Sequence, residues 1–262
     1  MRLEQYGPWA AIAGGSEGVG AAFALKLAAA GINVLLIARK PGPLEEVASQ
    51  IRSAGSASVR TLSLDLATAD AAERVKAATD DVEVGLLIYN AGAESTFSDF
   101  VDRDVSDATR MIARNITVPT VLAHHFGGRM RARGRGGIIL VGSTGGYAGG
   151  PTMAMYTASK AFDYILAEGL WYELRPHGVH VLGLVLGATD TPAMARMGMK
   201  TDTPGFVAAS PESVAQEGLE QLAIGPIWHS GGSEEFAQQL RTMPRADAVR
   251  MVAEASEAML SE

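Results

Sequence analysis

The 262-residue chain contains no cysteine, which excludes disulfides, thiolate metal sites and cysteine nucleophiles together. A reducing compartment fits that absence, and the expected location is cytoplasmic. Basic residues are also in deficit. The 22 Lys and Arg stand against 29 Asp and Glu, a net charge of -7, which leaves no field to attract nucleic acid or an anionic membrane surface. The cluster Arg129, Arg131, Arg133 and Arg135 is short and reads as a solvated helix end at the negative pole of the dipole. No apolar run reaches the ~18 to 20 residues that spanning a bilayer requires. Met1 to Trp9 lacks the charged and then apolar pattern of a secretory signal. Histidines are few. His124 and His125 are adjacent on a predicted helix and point apart, while His177, His180 and His229 show no ligand spacing, so no metal is expected.

What remains is 47% hydrophobic and 19% charged, the balance of a globular protein. Short β-branched runs alternate with longer amphipathic or Ala-rich stretches, a βαβ rhythm. The predicted strands are Trp9 to Ala13, Asn33 to Ala38, Val59 to Leu64, Val84 to Tyr89, Ile138 to Val141 and Val179 to Val185. Their near-continuous apolar character suits a parallel sheet covered on both faces. The predicted helices are Val19 to Ala30, Pro43 to Ser53, Ala69 to Thr79, a long one across Asp107 to Arg131, and Met155 to Arg175. Gly31, Gly55 and Gly178 fall where helix C-terminal turns belong. After Val185 the pattern fades into a flap, Thr189 to Phe206. Ser210-Pro211-Glu212 offers a cap and first turn for another helix, and Arg245 to Leu260 reads as a last one. The expectation is one α/β domain, a Rossmann-like doubly wound parallel sheet in a three-layer sandwich. Residues 189–262 would form the substrate flap and C-terminal helices.

The first strand runs into Gly14-Gly15-Ser16-Glu17-Gly18-Val19-Gly20. Glycines there let backbone N–H groups approach a pyrophosphate at a helix N-terminus. The spacing Gly14, Gly18, Gly20 differs from GxGxxG, and a glycine turn alone can be no more than a tight connection. Asn90-Ala91-Gly92 follows the fourth strand, Ser143 the fifth, and Tyr156 precedes Lys160 by four positions. In that order, across roughly residues 8 to 191, these elements resemble the short-chain dehydrogenase/reductase family. Singly, Tyr156, Lys160, Ser143 and Asn115 could be a packed phenol, a solvated charge, a turn hydroxyl and a helix-bending amide. The ordered set points to an active site.

The resemblance implies a nicotinamide cofactor. It would be held by Gly14, Ser16, Glu17, Gly18, Val19 and Gly20, by Asp65 and Leu66 near the adenine, and by Asn90, Ala91 and Gly92. Gly187, Thr189 and Thr191 would lie at the nicotinamide. Where an acidic residue would bond the ribose hydroxyls, this chain has Arg39 and Lys40, whose charges suit a 2'-phosphate. NADP(H) is therefore favoured, with NAD(H) as the alternative. Glu17 argues the other way, because NADP-using relatives often carry a basic residue there. Other departures are Ala13 in place of Thr, Tyr89 in place of the first Asn, and Leu186 in place of Pro.

Tyr156 and Lys160 share a helix face, and an ammonium beside a phenol stabilises phenolate. A tyrosine so tuned exchanges a proton with a carbonyl or alcohol oxygen. The resemblance assigns Ser143 to orient the substrate oxygen, Lys160 to bond the nicotinamide ribose, and Asn115 to support a water-mediated proton path. The expected activity is interconversion of a small-molecule ketone and secondary alcohol on an apolar substrate. Met153, Met155, Met194, Met197 and Met199 would form its adaptable wall or else pack the core. Ser210 to Glu262 reads as helices around Ile224-Gly225-Pro226-Ile227, in place of the Gly-rich strand region that often ends family members. That tail resembles those of some steroid- and acyl-chain-related reductases. A homodimer built on the two long helices, or a homotetramer, is expected. The alternative is a dinucleotide-sensing regulator or scaffold with little turnover. Enoyl reduction fits less well, because those relatives separate tyrosine and lysine by six positions.

Overall fold

All six residues of Val84–Tyr89 are buried, as a strand covered on both faces must be. In the computed structural model, which describes residues 3–93, 97–198 and 208–260, that strand is the fourth of seven. The order along the chain is β1 (Trp9–Ala13), α1 (Gly18–Ala29), β2 (Asn33–Ala38), α2 (Pro41–Ala54), β3 (Val59–Ser63), α3 (Ala71–Ala77) and β4 (Val84–Tyr89). There follow α4 (Val105–Ile112), α5 (Val118–Arg133), β5 (Gly136–Ser143), α6 (Ala154–Leu174) and β6 (Val179–Leu186). The remainder is α7 (Pro192–Arg196), α8 (Pro211–Gln221), β7 (Ile227–Ser230), α9 (Glu234–Thr242) and α10 (Arg245–Leu260).

The strands pair in parallel in the order β3-β2-β1-β4-β5-β6-β7. Successive strand residues point to opposite faces, and the core divides accordingly. Ala10 and Ile12 join Phe23, Leu27, Leu44 and Val214 on one side. Ala11 and Ala13 join Val75, Leu122, Phe126 and Met130 on the other. This is the Rossmann-like three-layer α/β/α sandwich. The strand order reverses direction between β1 and β4, which opens a crevice at their carboxyl ends.

Three expectations change. The tail is not helical throughout: Ile227–Ser230 pairs with β6, with Gly183 opposite Ile227 and Leu186 opposite Ser230. Gly225, at φ 47°, and Pro226 break the helical path, and the next four residues satisfy the open edge of β6. The long helix is interrupted, since α4 and α5 flank a π-helical turn at Ala113–Thr117. The flap contains the short helix α7, and residues 199–207, with Met199 and Phe206, lie outside the described residues. Elsewhere the punctuation holds. Gly31, Gly55 and Gly178 take φ of 80°, 69° and 71°, and Ser210 caps α8 by accepting from the Ser213 amide at 3.1 Å.

Candidate active site

Seventeen of the expected site residues line one groove of about 330 Å³ at the crevice, a volume in the range of small-molecule sites. Gly14, Ser16, Glu17, Gly18 and Val19 form one end with Arg39 and Lys40. Leu66, Asn90, Ala91 and Gly92 follow, and Ser143, Tyr156, Lys160, Gly187, Thr189 and Thr191 complete it. Gly20, Asp65 and Asn115 are not among the lining residues.

Gly20 lies beneath the glycine turn, where a β-carbon would overlap the Gly14 carbonyl. Asn90 ties the same carbonyl to β4 through its Nδ2, at 3.2 Å. At Gly14, with φ 82°, a side chain would come within 2.9 Å of the Ala91 amide nitrogen. These contacts leave a shallow, backbone-lined cradle at the start of α1, the surface a pyrophosphate needs. The residues present therefore fit a dinucleotide. Asp65 accepts from the Ala67 amide at 3.0 Å and pairs with Arg110 at 2.7 Å. Burial raises its carboxyl, but the Ala67 amide and Arg110 outweigh burial and hold it below its ordinary value.

Chemistry gathers at the other end. Ser143 closes β5, and its Oγ accepts from the Gly145 amide at 3.2 Å. A β-carbon at Gly145 would stand 3.6 Å from Ser143 Oγ and 3.9 Å from Tyr156 Cε1. The glycine thus leaves space between hydroxyl and phenol. Gly146 packs its backbone on α6, where a β-carbon would meet the Ala161 amide at 2.7 Å. Thr152, at φ 59°, is the non-glycine residue at positive φ among the described residues. A β-branched residue there is strained, and it lies four positions before Tyr156.

The Lys160 ammonium lies 5.9 Å from the Tyr156 ring centre. It donates to the Val141 carbonyl at 2.8 Å and to Asp163 Oδ2 at 3.0 Å. An ammonium has three protons, so one is left for the groove that Lys160 lines.

Asn115 sits inside the π turn, 1% exposed. Its Nδ2 donates to the Gly92 carbonyl at 3.2 Å and to Ser159 Oγ at 2.9 Å, and its Oδ1 accepts from Arg114 Nε at 2.9 Å. The Tyr89 phenol donates to the Arg114 carbonyl, so the residue in place of an asparagine braces that same turn. Such π turns recur at functional sites.

Sequence reasoning missed Arg196 and Asp163. Arg196, on α7, lines the groove and makes a two-pronged ion pair with Glu17. No local pattern announces that contact. Asp163 is a buried carboxylate in the apolar run around Phe162 and Tyr164, and that mismatch was a readable signal. Of the methionines, Met194 and Met197 line the groove, Met155 lines a separate cavity of about 240 Å³, and Met153 is buried. Among the described residues no group of three His, Asp or Glu could hold a metal. None of the described helices is long and apolar enough to cross a membrane.

The family model of the short chain dehydrogenases matches residues 8–202. The chain belongs to that family. A 7beta-hydroxysteroid dehydrogenase of Clostridium sardiniense is 34% identical over 249 residues, covering 94% of each chain. A solved structure of a 7beta-hydroxysteroid dehydrogenase, studied for its stereoselectivity, superposes with TM-score 0.87 at 29% identity, over 95% of this chain and 98% of the other. A short-chain dehydrogenase from Sphingobium yanoikuyae in complex with NADPH gives TM-score 0.78 at 28% identity, over 91% and 97%. This dehydrogenase is accordingly an oxidoreductase that interconverts CH–OH and C=O groups of a small molecule with a nicotinamide dinucleotide.

Proposed function

We propose that this dehydrogenase prefers NADP(H) and acts on a ketone or secondary alcohol of a steroid-like, rigid apolar substrate, with Tyr156 as acid and base. The observation that carries the reading is that Ser143, Tyr156 and Lys160 line the same groove as Arg39 and Lys40. Two cations stand where β2 ends, and a guanidinium is suited to a phosphate. Glu17, which opposed this preference in the sequence, is paired with Arg196 and does not present a bare negative charge.

A bound nicotinamide would supply or accept hydride at the substrate carbon. Ser143 Oγ would hold the reacting oxygen. In reduction Tyr156 gives its phenolic proton to that oxygen, and in oxidation it takes the proton back, a role worth about 10² to 10⁴ in rate. Asn115 holds Gly92 and Ser159 in register, fixing β4 against α6. Met194 and Met197 give the nicotinamide end an adaptable apolar wall. The steroid assignment draws on the near full-length likeness to the hydroxysteroid dehydrogenase. A homo-oligomer is part of this reading, supported by Ile165 and Tyr172, which are exposed on α6.

The test is NADPH oxidation with a panel of keto-steroids and short aliphatic ketones, using wild type and Tyr156→Phe. Turnover of a keto-steroid that the substitution lowers about 10² to 10⁴-fold, with NADPH binding retained, is the expected result. Cofactor binding with no turnover on any ketone would replace the reading with a dinucleotide-sensing role.

A further inference from the structure

The Lys160 ammonium has a partner that the reaction itself does not require. Asp163 lies one turn further along α6, on the same face, and is 3% exposed. Its Oδ2 stands 3.0 Å from Lys160 Nζ, and the two side chains are 5% and 6% accessible. Gly142 of β5 packs beside the pair: a β-carbon there would stand in ordinary contact, 3.9 Å from Asp163 Cβ and 3.8 Å from the Lys160 carbonyl. A buried ion pair is a weak source of stability, because desolvation of both charges offsets their attraction, and apolar residues of similar volume often serve as well. Net stability is therefore a poor account of why both charges are kept under cover at positions 160 and 163.

We propose that Asp163 is a positioning residue for the reaction, clamping the Lys160 ammonium with the Val141 carbonyl and acting as its counter-charge. The inference rests on the reading of Tyr156 and Lys160 given above. With two donors fixed, Lys160 holds one orientation toward the groove. Burial pushes the Asp163 carboxyl up, and the neighbouring ammonium pulls against that. Among the described residues Tyr89 on β4 also feels Asp163: its phenol is pushed up by burial and further by the Asp163 charge, a shift that Arg114 on the π turn opposes. From the sheet, β5 and β6 present Val141, Gly142 and Leu184. On the other flank of α6, Tyr164 stacks on Tyr147.

The 3.0 Å contact is about half the 5.9 Å separation of Nζ from the Tyr156 ring. Removing the Asp163 charge therefore acts first on Lys160: a buried ammonium without its counter-charge gives up its proton or its orientation more readily, and the support this withdraws from the Tyr156 phenolate outweighs the relief of direct repulsion between two negative charges. In Asp163→Asn, kcat for alcohol oxidation is expected to fall about tenfold or more. Substrate KM should not change, and the rising limb of the pH profile should move to higher pH by about one unit. The tyrosinate absorbance of the cofactor-free protein, taken as the difference from the same background carrying Tyr156→Phe, should move the same way. Asp163→Glu keeps the charge and should leave the profile in place. A profile and absorbance that do not move in Asp163→Asn, or that move to lower pH, overturn the proposal while Tyr156→Phe remains inactive. Wild-type activity in Tyr156→Phe would overturn the acid–base reading and this inference with it. Should Asn at 163 prevent folding, Asp163→Glu decides: the displaced carboxylate is expected to lower kcat several-fold at constant KM, and wild-type kcat would refute the clamp.

Discussion

Glu17 and Arg196 are 179 positions apart in the chain, yet the guanidinium of one grips the carboxylate of the other across the mouth of the dinucleotide groove. One belongs to the glycine turn and the other to the helix of the flap. An exposed pair of this kind contributes at most about 1 kcal/mol, which is roughly fivefold in affinity. Arg196→Ala should therefore weaken NADPH binding by no more than about fivefold, as an uncovered Glu17 meets the 2'-phosphate, and should leave NADH nearly unchanged. Arg39→Ala should cost more, about 10- to 100-fold for NADPH, since a charge-assisted hydrogen bond is worth about 1.5–3 kcal/mol. Fluorescence titration with both nucleotides checks the pair. Equal losses for NADH and NADPH would remove the case for a phosphate-reading site.

Gly20 tolerates no side chain, because the Gly14 carbonyl occupies the place a β-carbon would take. Overpacking of this kind costs about 1–3 kcal/mol, or about 2–4 °C of Tm per kcal/mol in a chain of this size. Gly20→Ala should lower Tm accordingly and weaken both nucleotides together. Gly42→Ala, at a site with nothing within 4 Å, is the control. A Gly20→Ala protein with wild-type Tm would contradict the packing described.

Asn115 is almost fully buried and bonds Gly92, Arg114 and Ser159. Its replacement by Ala leaves those groups short of partners, at about 1–3 kcal/mol each when buried. Denaturant unfolding of Asn115→Ala should show a loss of at least that size. Hydrogen exchange should speed up in the amides of residues 113–117 before those of β1. A protein as stable as wild type would mean that the π turn stands without it.

Two tyrosine–histidine contacts give stability a pH dependence. Tyr6 meets His180 Nδ1 at 2.7 Å, and Tyr147 meets His229 Nε2 at 2.9 Å. Burial holds both imidazoles below their ordinary value. A depressed pKa means that the unfolded chain binds the proton more readily, so the stability is present above the unfolded value of ~6.5 and is lost as pH falls through the folded one. Tm should be flat from pH 8 to about 6.5 and decline below it. His229→Gln should show a shallower decline than wild type, and this comparison isolates the imidazole from Asp163, whose raised carboxyl acts in the opposite sense. Parallel curves for the two proteins would show that the His229 ring carries no such linkage.

Most strands legible in the sequence were those largely buried on both faces, while β3 at the sheet edge, with no buried residue, was legible from its β-branched Val59 and Thr61. Each residue of β4 is under cover, and such a run has no polar interruption to obscure it. The last strand has one neighbour, four residues, and three positions only half buried. Ile227-Trp228-His229-Ser230 therefore offers no apolar run, and the open edge of β6 decides its conformation. The glycine turn and the Tyr156–Lys160 pair were legible because their spacing is local. The contact of Arg196 with Glu17 depends on how the chain returns after β6, and nothing near either residue encodes it. The ion pair of Asp65 with Arg110, 45 residues away, is of the same kind.

Helix α10 touches the Tyr147–Gly150 loop through Arg245, Val249 and Val252 and contributes nothing to the wall of the dinucleotide groove. The groove is therefore walled without this helix, which leans on the loop leading into α6. A lineage could exchange the sixteen residues of α10 for others of similar bulk and keep every residue that lines the groove.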